Sequence, residues 1–468
     1  MAKKVLLGLI TFVMLSATLA ALNVKVNAQP RQQLERARRL ATEGDGFLRQ
    51  KDYRAAVTKY AEAISIVPRY SYAFYKKGYS HYYLAEYSQA ASDLSKALEG
   101  PAQGFSELDV YTMRWQAYYF QQNYDAALRD VQQALRLSPS SSYWNLALGD
   151  CYRGKKDLRN ALAAYQKGAQ LDATNADVHY FIALCHNQLG EYLQQGFAGL
   201  KAIEKGTTKY KGESWEFVGE ALFRGKKYED AAQSYEKALQ AKSDLKNVYT
   251  NLSEVYRMLN RFDEAINTVR KGLRVYPDDA NYYINLSWLY SLADRHQESI
   301  SAGQQAVRLL PDQYMGYTNL CRAYNDTKQY ALAIQTCNKA MAINPGDGET
   351  NYYLGRAYQL QNKGAQAMAY YKKAVTGLVE FTRQNPDYSD GYYLLGNAYY
   401  SVDQNANAIA ALKKCLEIAP RFAKARFNLG SIYLVSGNKP AAREQYNILK
   451  DVDAALAAKL LDAINKAR

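Results

Sequence analysis

A chain of 468 residues, 48% of them hydrophobic, could fill two or three ordinary globular domains and has enough apolar content to bury every helix along one face. Its formal net charge of +14 comes from scattered Lys and Arg in runs no longer than two, which reads as a mildly basic soluble surface and argues against a nucleic-acid partner. Five cysteines, an odd number, argue against a disulfide scaffold.

Residues 1–28 read as an export signal. Lys3 and Lys4 precede the apolar run Val5–Leu15, and Val26-Asn27-Ala28 forms an A-x-A-like cleavage site before Gln29. The expected location is periplasmic or secreted. The alternative is an uncleaved N-terminal anchor in the inner membrane, since Val5–Leu22 supplies 18 largely apolar residues, although Thr11, Ser16 and Thr18 interrupt them.

After a short lead-in (residues 29–36), a repeat can be followed from 37 to 450. Its clearest copies are Tyr249–Pro277, Tyr283–Pro311 and Tyr317–Pro345, spaced 34 residues apart. Such a period predicts stacked two-helix units that touch only their neighbours. With Ala265 taken as position 20 of its unit, twelve units start near Ala37, Ser71, Leu108, Ser142, Ala176, Gly212, Lys246, Ala280, Tyr314, Gly348, Ser389 and Ala423. Positions 4, 7, 8 and 11 form one stripe of a first helix, and 20, 24 and 27 one stripe of a second. Position 8 is small, as at Gly44, Gly78, Gly149, Gly219, Gly355, Gly396 and Gly430, so two helices approach closely there. Position 20 is nearly always Ala, and position 32 is often Pro, which ends the second helix.

Departures from the pattern predict local differences. Trp115 at position 8 should splay its helix pair, and Gln195 and Gly199 should loosen theirs. Seven extra residues before Ser389 should carry a second helix on through Phe381. Residues 451–468 read as a capping helix, with Val452, Leu456, Leu460 and Ile464 covering the apolar end of the last unit.

The pattern resembles the tetratricopeptide repeat, with W-x2-L-G-x2-Y…A-x3-F…A…P matched unit after unit; Trp215 to Gly219 with Ala231, Tyr235 and Ala238 comes nearest to it. The resemblance implies an all-α fold: a right-handed superhelix, or α-solenoid, of about twelve helix-turn-helix units with a C-terminal capping helix. It also implies that positions 2, 5, 6, 9, 12 and 13 face a concave groove. More than half of the 43 tyrosines fall at core positions 4, 11, 17 and 24. Among the groove positions, Tyr75, Tyr79, Tyr82, Trp288 and Tyr352 offer large contact area at low entropic cost, either to a guest or to neighbouring units.

Position 6 is Asn251, Asn285 and Asn319 in three successive units, and Asn428 in the last. Asn is a mediocre helix former, but its amide donates and accepts and so pairs with a peptide backbone of any sequence. The groove of O-linked N-acetylglucosamine transferase has a similar ladder that holds extended polypeptide, although no glycosyltransferase domain follows here; drift at a tolerant position is the alternative. Arg322 and Arg356, at position 9 of adjacent units, could hold an acidic side chain beside the ladder. The basic clamp of other members of the family, which needs Lys and Asn in register over three units, is not matched.

Cys321 and Cys337 occupy positions 8 and 24 of one unit and face each other. An oxidising compartment would permit a bridge, but packed helices usually hold Cα atoms slightly too far apart. Cys151, Cys185 and Cys415 read as buried core thiols. His179 and His186 lie on a packing stripe, and no metal, nucleotide or nucleophile motif is present. The expectation is a non-enzymatic scaffold without cofactor or metal that binds an extended segment of another protein, in an envelope assembly or secretion complex. The alternative is a carbohydrate or polyanion binder of the cell envelope. The pathway and the oligomeric state are not readable from the sequence.

Overall fold

The structure, a computed structural model, describes residues 31–467, so the export signal expected at 1–28 lies outside the described residues. Among these there are twenty-five helices and no strand. None of the helices is long and apolar enough to cross a membrane. The chain divides after Thr207 into two compact units.

The N-terminal unit holds α1 (31–49, so it begins inside the expected lead-in), α2 (Tyr53–Ile66), α3 (Ser71–Tyr83), α4 (Tyr87–Ala97) and α5 (Glu107–Phe120). It continues with α6 (Tyr124–Leu137), α7 (Ser142–Gly154), α8 (Leu158–Leu171), α9 (Asp177–Gln188) and α10 (Tyr192–Glu204). The C-terminal unit begins with α11 (Lys211–Arg224), α12 (Tyr228–Ala241), α13 (Lys246–Met258), α14 (Phe262–Val275), α15 (Ala280–Leu292), α16 (His296–Leu309) and α17 (Tyr314–Asp326). It is completed by α18 (Tyr330–Ile343), α19 (Gly348–Leu360), α20 (Gly364–Gln384), α21 (Ser389–Ser401), α22 (Asn405–Ile418), α23 (Ala423–Val435), α24 (Lys439–Leu449) and α25 (Ala454–Lys466). The helices pair as antiparallel hairpins, an odd-numbered first helix with the even-numbered one after it. The seven extra residues lengthen α20 to 21 residues.

The small residues do what close packing requires. A Cβ added at Gly149 would lie 2.5 Å from the ring of Tyr165, and one at Gly219 2.8 Å from that of Tyr235. Position 8 thus sits on the flat face of a position-24 side chain, and the fully buried alanines at position 20 flank the contact. The rings at position 24 are satisfied at their far ends: Tyr60 donates to Asp45 at 2.6 Å and Tyr165 to Asp150 at 2.7 Å.

Between the helices of each hairpin the chain turns through one residue with positive φ. This is Lys51, Ala85, Gln122, Lys156, Gly190, Lys226, Asn260, Asp294, Lys328, Asn362, Asp403 or Gly437, always position 15. The following amide bonds back to the carbonyl at position 11, as Asp52 does to Phe47 at 2.9 Å and Arg261 to Tyr256 at 2.8 Å, which closes a Schellman-type cap.

The places where the repeat departs from its pattern are accommodated. Trp115 is buried and its indole N–H donates to the Tyr143 hydroxyl at 3.2 Å. Gln195 is fully enclosed and accepts from Asn187 Nδ2 at 3.2 Å, so the polar group at position 20 is satisfied. Leu460 and Ile464 of α25 are fully buried, Leu460 against Gly430 of α23. Cys321 and Cys337 form a disulfide with their Cα atoms 5.4 Å apart. With a small residue at both position 8 and position 24, the two backbones come nearer than ordinary helix packing allows. Cys151, Cys185 and Cys415 are buried free thiols, and burial pushes Cys151 up to about 12 and Cys185 to about 11.

Candidate functional site

The asparagines at position 6 stand on α13, α15, α17 and α23. Asn285 Nδ2 donates to Ser253 Oγ of the preceding first helix at 3.0 Å, and Asn319 Nδ2 donates to the Ile284 carbonyl at 3.0 Å. Asn251 reaches the Tyr235 hydroxyl. One edge of the Asn285 amide and of the Asn319 amide therefore staples its helix to the first helix of the unit before it. No group among the described residues donates to Oδ1 of Asn285 or Asn319, which leaves that oxygen to an incoming N–H.

Asn251, Asn285 and Asn319 all line one cavity of about 490 Å³ in the C-terminal unit, together with Trp288 and Arg322. Ile284, Met315, Leu378, Phe381 and Tyr388 supply its apolar wall. Asn428, Tyr352 and Arg356 line a second cavity of about 580 Å³. Leu292, Arg322, Tyr353, Tyr393 and Leu394 belong to both, so the two adjoin. There Asn428 Nδ2 donates to Asn397 Oδ1 at 2.8 Å, in the same backward direction as its counterparts.

The inner wall closes on itself through charge. Arg257 on α13 stacks 5.0 Å above the ring centroid of Trp288, donates to Glu254 through Nε at 2.7 Å, and pairs with Asp390 on α21 at 3.0 Å. Lys424 on α23 reaches the Leu292 carbonyl at 3.1 Å and Asp294 at 2.9 Å. Burial works against the charge of Arg257, but Asp390 and Glu254 outweigh it and hold the guanidinium protonated. Burial also pushes the Asp390 and Glu349 carboxyls up, against the pull of Arg257 and Arg322 respectively. Arg322 donates to Glu349, and Arg356 to Asp326 at 2.7 Å, so both guanidiniums already hold a carboxylate of the chain itself.

Tyr75, Tyr79 and Tyr82 lie on α3 of the N-terminal unit. Tyr75 stacks on Phe105 at 4.8 Å between centroids, Tyr79 leans on Tyr83 at 4.6 Å, and Tyr82 donates to Gln116 at 2.6 Å. Beside them the exposed rings of Tyr83 and Phe120 stack on Tyr53 and Tyr87. Sequence reasoning brought the three asparagines and Trp288 to one place and missed Glu254, Arg257, Glu349 and Asp390. Their signal was charge at the inward positions 2, 9 and 12, but the pairing of Arg257 with a residue four units on has no trace in sequence.

Family models of the tetratricopeptide repeat match residues 112–176, 198–245 and 393–459, residues 222–287, and residues 316–347. Together these cover just over half of the chain. A curated relative, the Bos taurus "Protein SGT1 homolog", is 31% identical over 96 residues, 20% of this chain and 28% of its own length. Among solved structures, the anaphase-promoting-complex hetero-tetramer Cut9–Hcn1 covers 94% of this chain and 99% of that one at 14% identity and a TM-score of 0.37. Yeast Tom70 covers 92% and 95% at 13% identity and a TM-score of 0.36. The C-terminal part of a repeat protein from Cytophaga hutchinsonii covers 49% and 93% at 20% identity and a TM-score of 0.42.

Proposed function

Because this chain belongs to the tetratricopeptide-repeat family, whose members are protein-interaction scaffolds, we propose that it works without catalysis by holding an extended segment of another protein in its C-terminal unit. The observation that carries this proposal is the convergence of Asn251, Asn285 and Asn319 on one cavity beside Trp288. Each of Asn285 and Asn319 spends its N–H on the first helix of the preceding repeat and keeps a carbonyl oxygen for a guest amide, so recognition needs a backbone and no particular sequence. We place the protein outside the cytoplasm, in an envelope assembly or secretion complex; the Cys321–Cys337 bridge supports an oxidising compartment.

A pull-down from intact cells after cross-linking tests this directly. A protein partner should remain bound through high salt and be lost in the Asn285→Ala, Asn319→Ala double variant, with melting temperature checked because both amides also bind a neighbouring helix. The alternative, a carbohydrate or polyanion ligand, is favoured by the exposed, stacked rings of Tyr83 and Phe120 in the N-terminal unit. It would reveal itself by loss of binding in salt and by competition from soluble polysaccharide. Export itself is tested by fractionation, where recovery in the cytoplasm would count against it.

A further inference from the structure

The amide-lined cavity holds more carboxyl groups than guanidiniums. Its lining includes Glu254, Asp347, Glu349 and Asp390 but only one guanidinium, that of Arg322; Arg257 adds a second by pairing with Glu254 and Asp390. This excess is not a sample of the average surface, because the chain as a whole stands at +14. Glu349 and Glu254 are the accessible members, with side chains 30% and 28% exposed, and among the described residues Arg322 is the one hydrogen-bond donor to Glu349. Arg322, itself buried, has an Nε with no acceptor among the described residues. That atom is closed to solvent, so it serves no guest. The rim is apolar, with Met315 and Phe381 41% and 38% exposed.

Building on the groove reading above, we propose that the segment held in this cavity carries a lysine or arginine side chain between apolar neighbours. The cation lies against Glu349, and the neighbours cover Trp288 and Phe381. An acidic side chain in the same place would face the carboxylate excess at low dielectric, where like charges repel most strongly.

The test uses the full chain and three pools of N-acetylated nine-residue peptides whose centre is Lys, Glu or Gln and whose flanks are randomised among Ala, Leu, Phe and Ser. Capture followed by mass spectrometry should enrich the Lys pool at least fivefold over the Glu pool. Long-range attraction to a chain of charge +14 would do the opposite, so this enrichment can come only from the local site. Glu349→Gln should halve the enrichment or more. Met315→Lys, a change at an exposed position that leaves packing alone, should do the same by adding repulsion at the rim. Equal capture of all three pools, or preference for Glu, overturns the charge proposal and leaves the groove standing. Capture of none overturns both.

Discussion

The two units share one repeat and differ in what their inner faces do with it. In the N-terminal unit the groove positions are aromatic, and they satisfy one another: Tyr75 on Phe105, Tyr79 on Tyr83, and the Tyr82 hydroxyl on Gln116, 34 residues away. In the C-terminal unit the same positions carry amides and charges, and contacts such as Arg257 with Asp390 and Lys424 with Asp294 reach across 130 residues or more. Stacked rings need only an adjacent helix. A buried charge needs a partner wherever one can be found, so the charged face is drawn around a cavity while the aromatic face remains a surface. What fills position 9 or 12 therefore decides whether the repeat makes a wall or an enclosure.

The comparison breaks most sharply at Arg257. Arg257→Ala strands Asp390 in a buried site and takes the partner of Glu254, and should destabilise the C-terminal unit by about 3–5 kcal/mol. Hydrogen exchange should rise in α13 and α21 and stay unchanged in residues 31–207; equal loss in both units would mean that the ion cluster is not what holds the enclosure. Next in size is the disulfide. Replacing Cys321 and Cys337 by Ser opens a 16-residue link and should lower stability by about 3 kcal/mol, again only in the C-terminal unit. A melt unchanged by dithiothreitol would contradict this. Position 8 is common to both units and supplies the control. Gly149→Ala and Gly219→Ala should each destabilise their own unit by about 1–3 kcal/mol, with Gly149 the worse because its Cβ would sit closer to the opposing ring.

The fold was almost wholly legible because its causes are local and recur. The start predicted for Ser71, Ser142, Lys246, Ala280, Tyr314, Gly348, Ser389 and Ala423 is the first residue of a helix in each case. A small residue at position 8 and alanine at position 20 state the packing directly. The turn was only partly legible: position 15 adopts positive φ in Lys51, Ala85 and Gln122 as it does in Gly190 and Gly437, and only the Gly, Asn and Asp residues at that position announce it. The hairpin imposes that conformation on the other residues at about 1 kcal/mol or more each, which the cap bonds and helix packing offset. The convergence of Asn251, Asn285 and Asn319 could be read from a 34-residue period. The partners of Arg257 and Lys424 could not, since curvature summed over four units brings them together. The Cys321–Cys337 bridge lay between these cases, its facing positions readable and its backbone distance not.

Glu216 on α11 offers a smaller and finer probe of the C-terminal unit. Burial pushes its carboxyl up to about 7, with Glu220 and Glu213 adding to the effect and Lys242 opposing it. A carboxyl whose folded pKa is raised binds its proton more tightly when folded than when unfolded. Its contribution is therefore most favourable below the ordinary glutamate range, near 4.5, and is lost as pH rises through 7. Glu216→Gln removes the penalty of burying the ionised form, so it should stabilise the C-terminal unit at pH 8 by about 1–2 kcal/mol, a figure reduced for partial solvent screening. At pH 4.5 the same variant should melt with the parent. A gain that is equal at both pH values would show that packing, rather than charge, is responsible, and a shift in the exchange of residues 31–207 would show that the two units do not answer to their own inner faces separately.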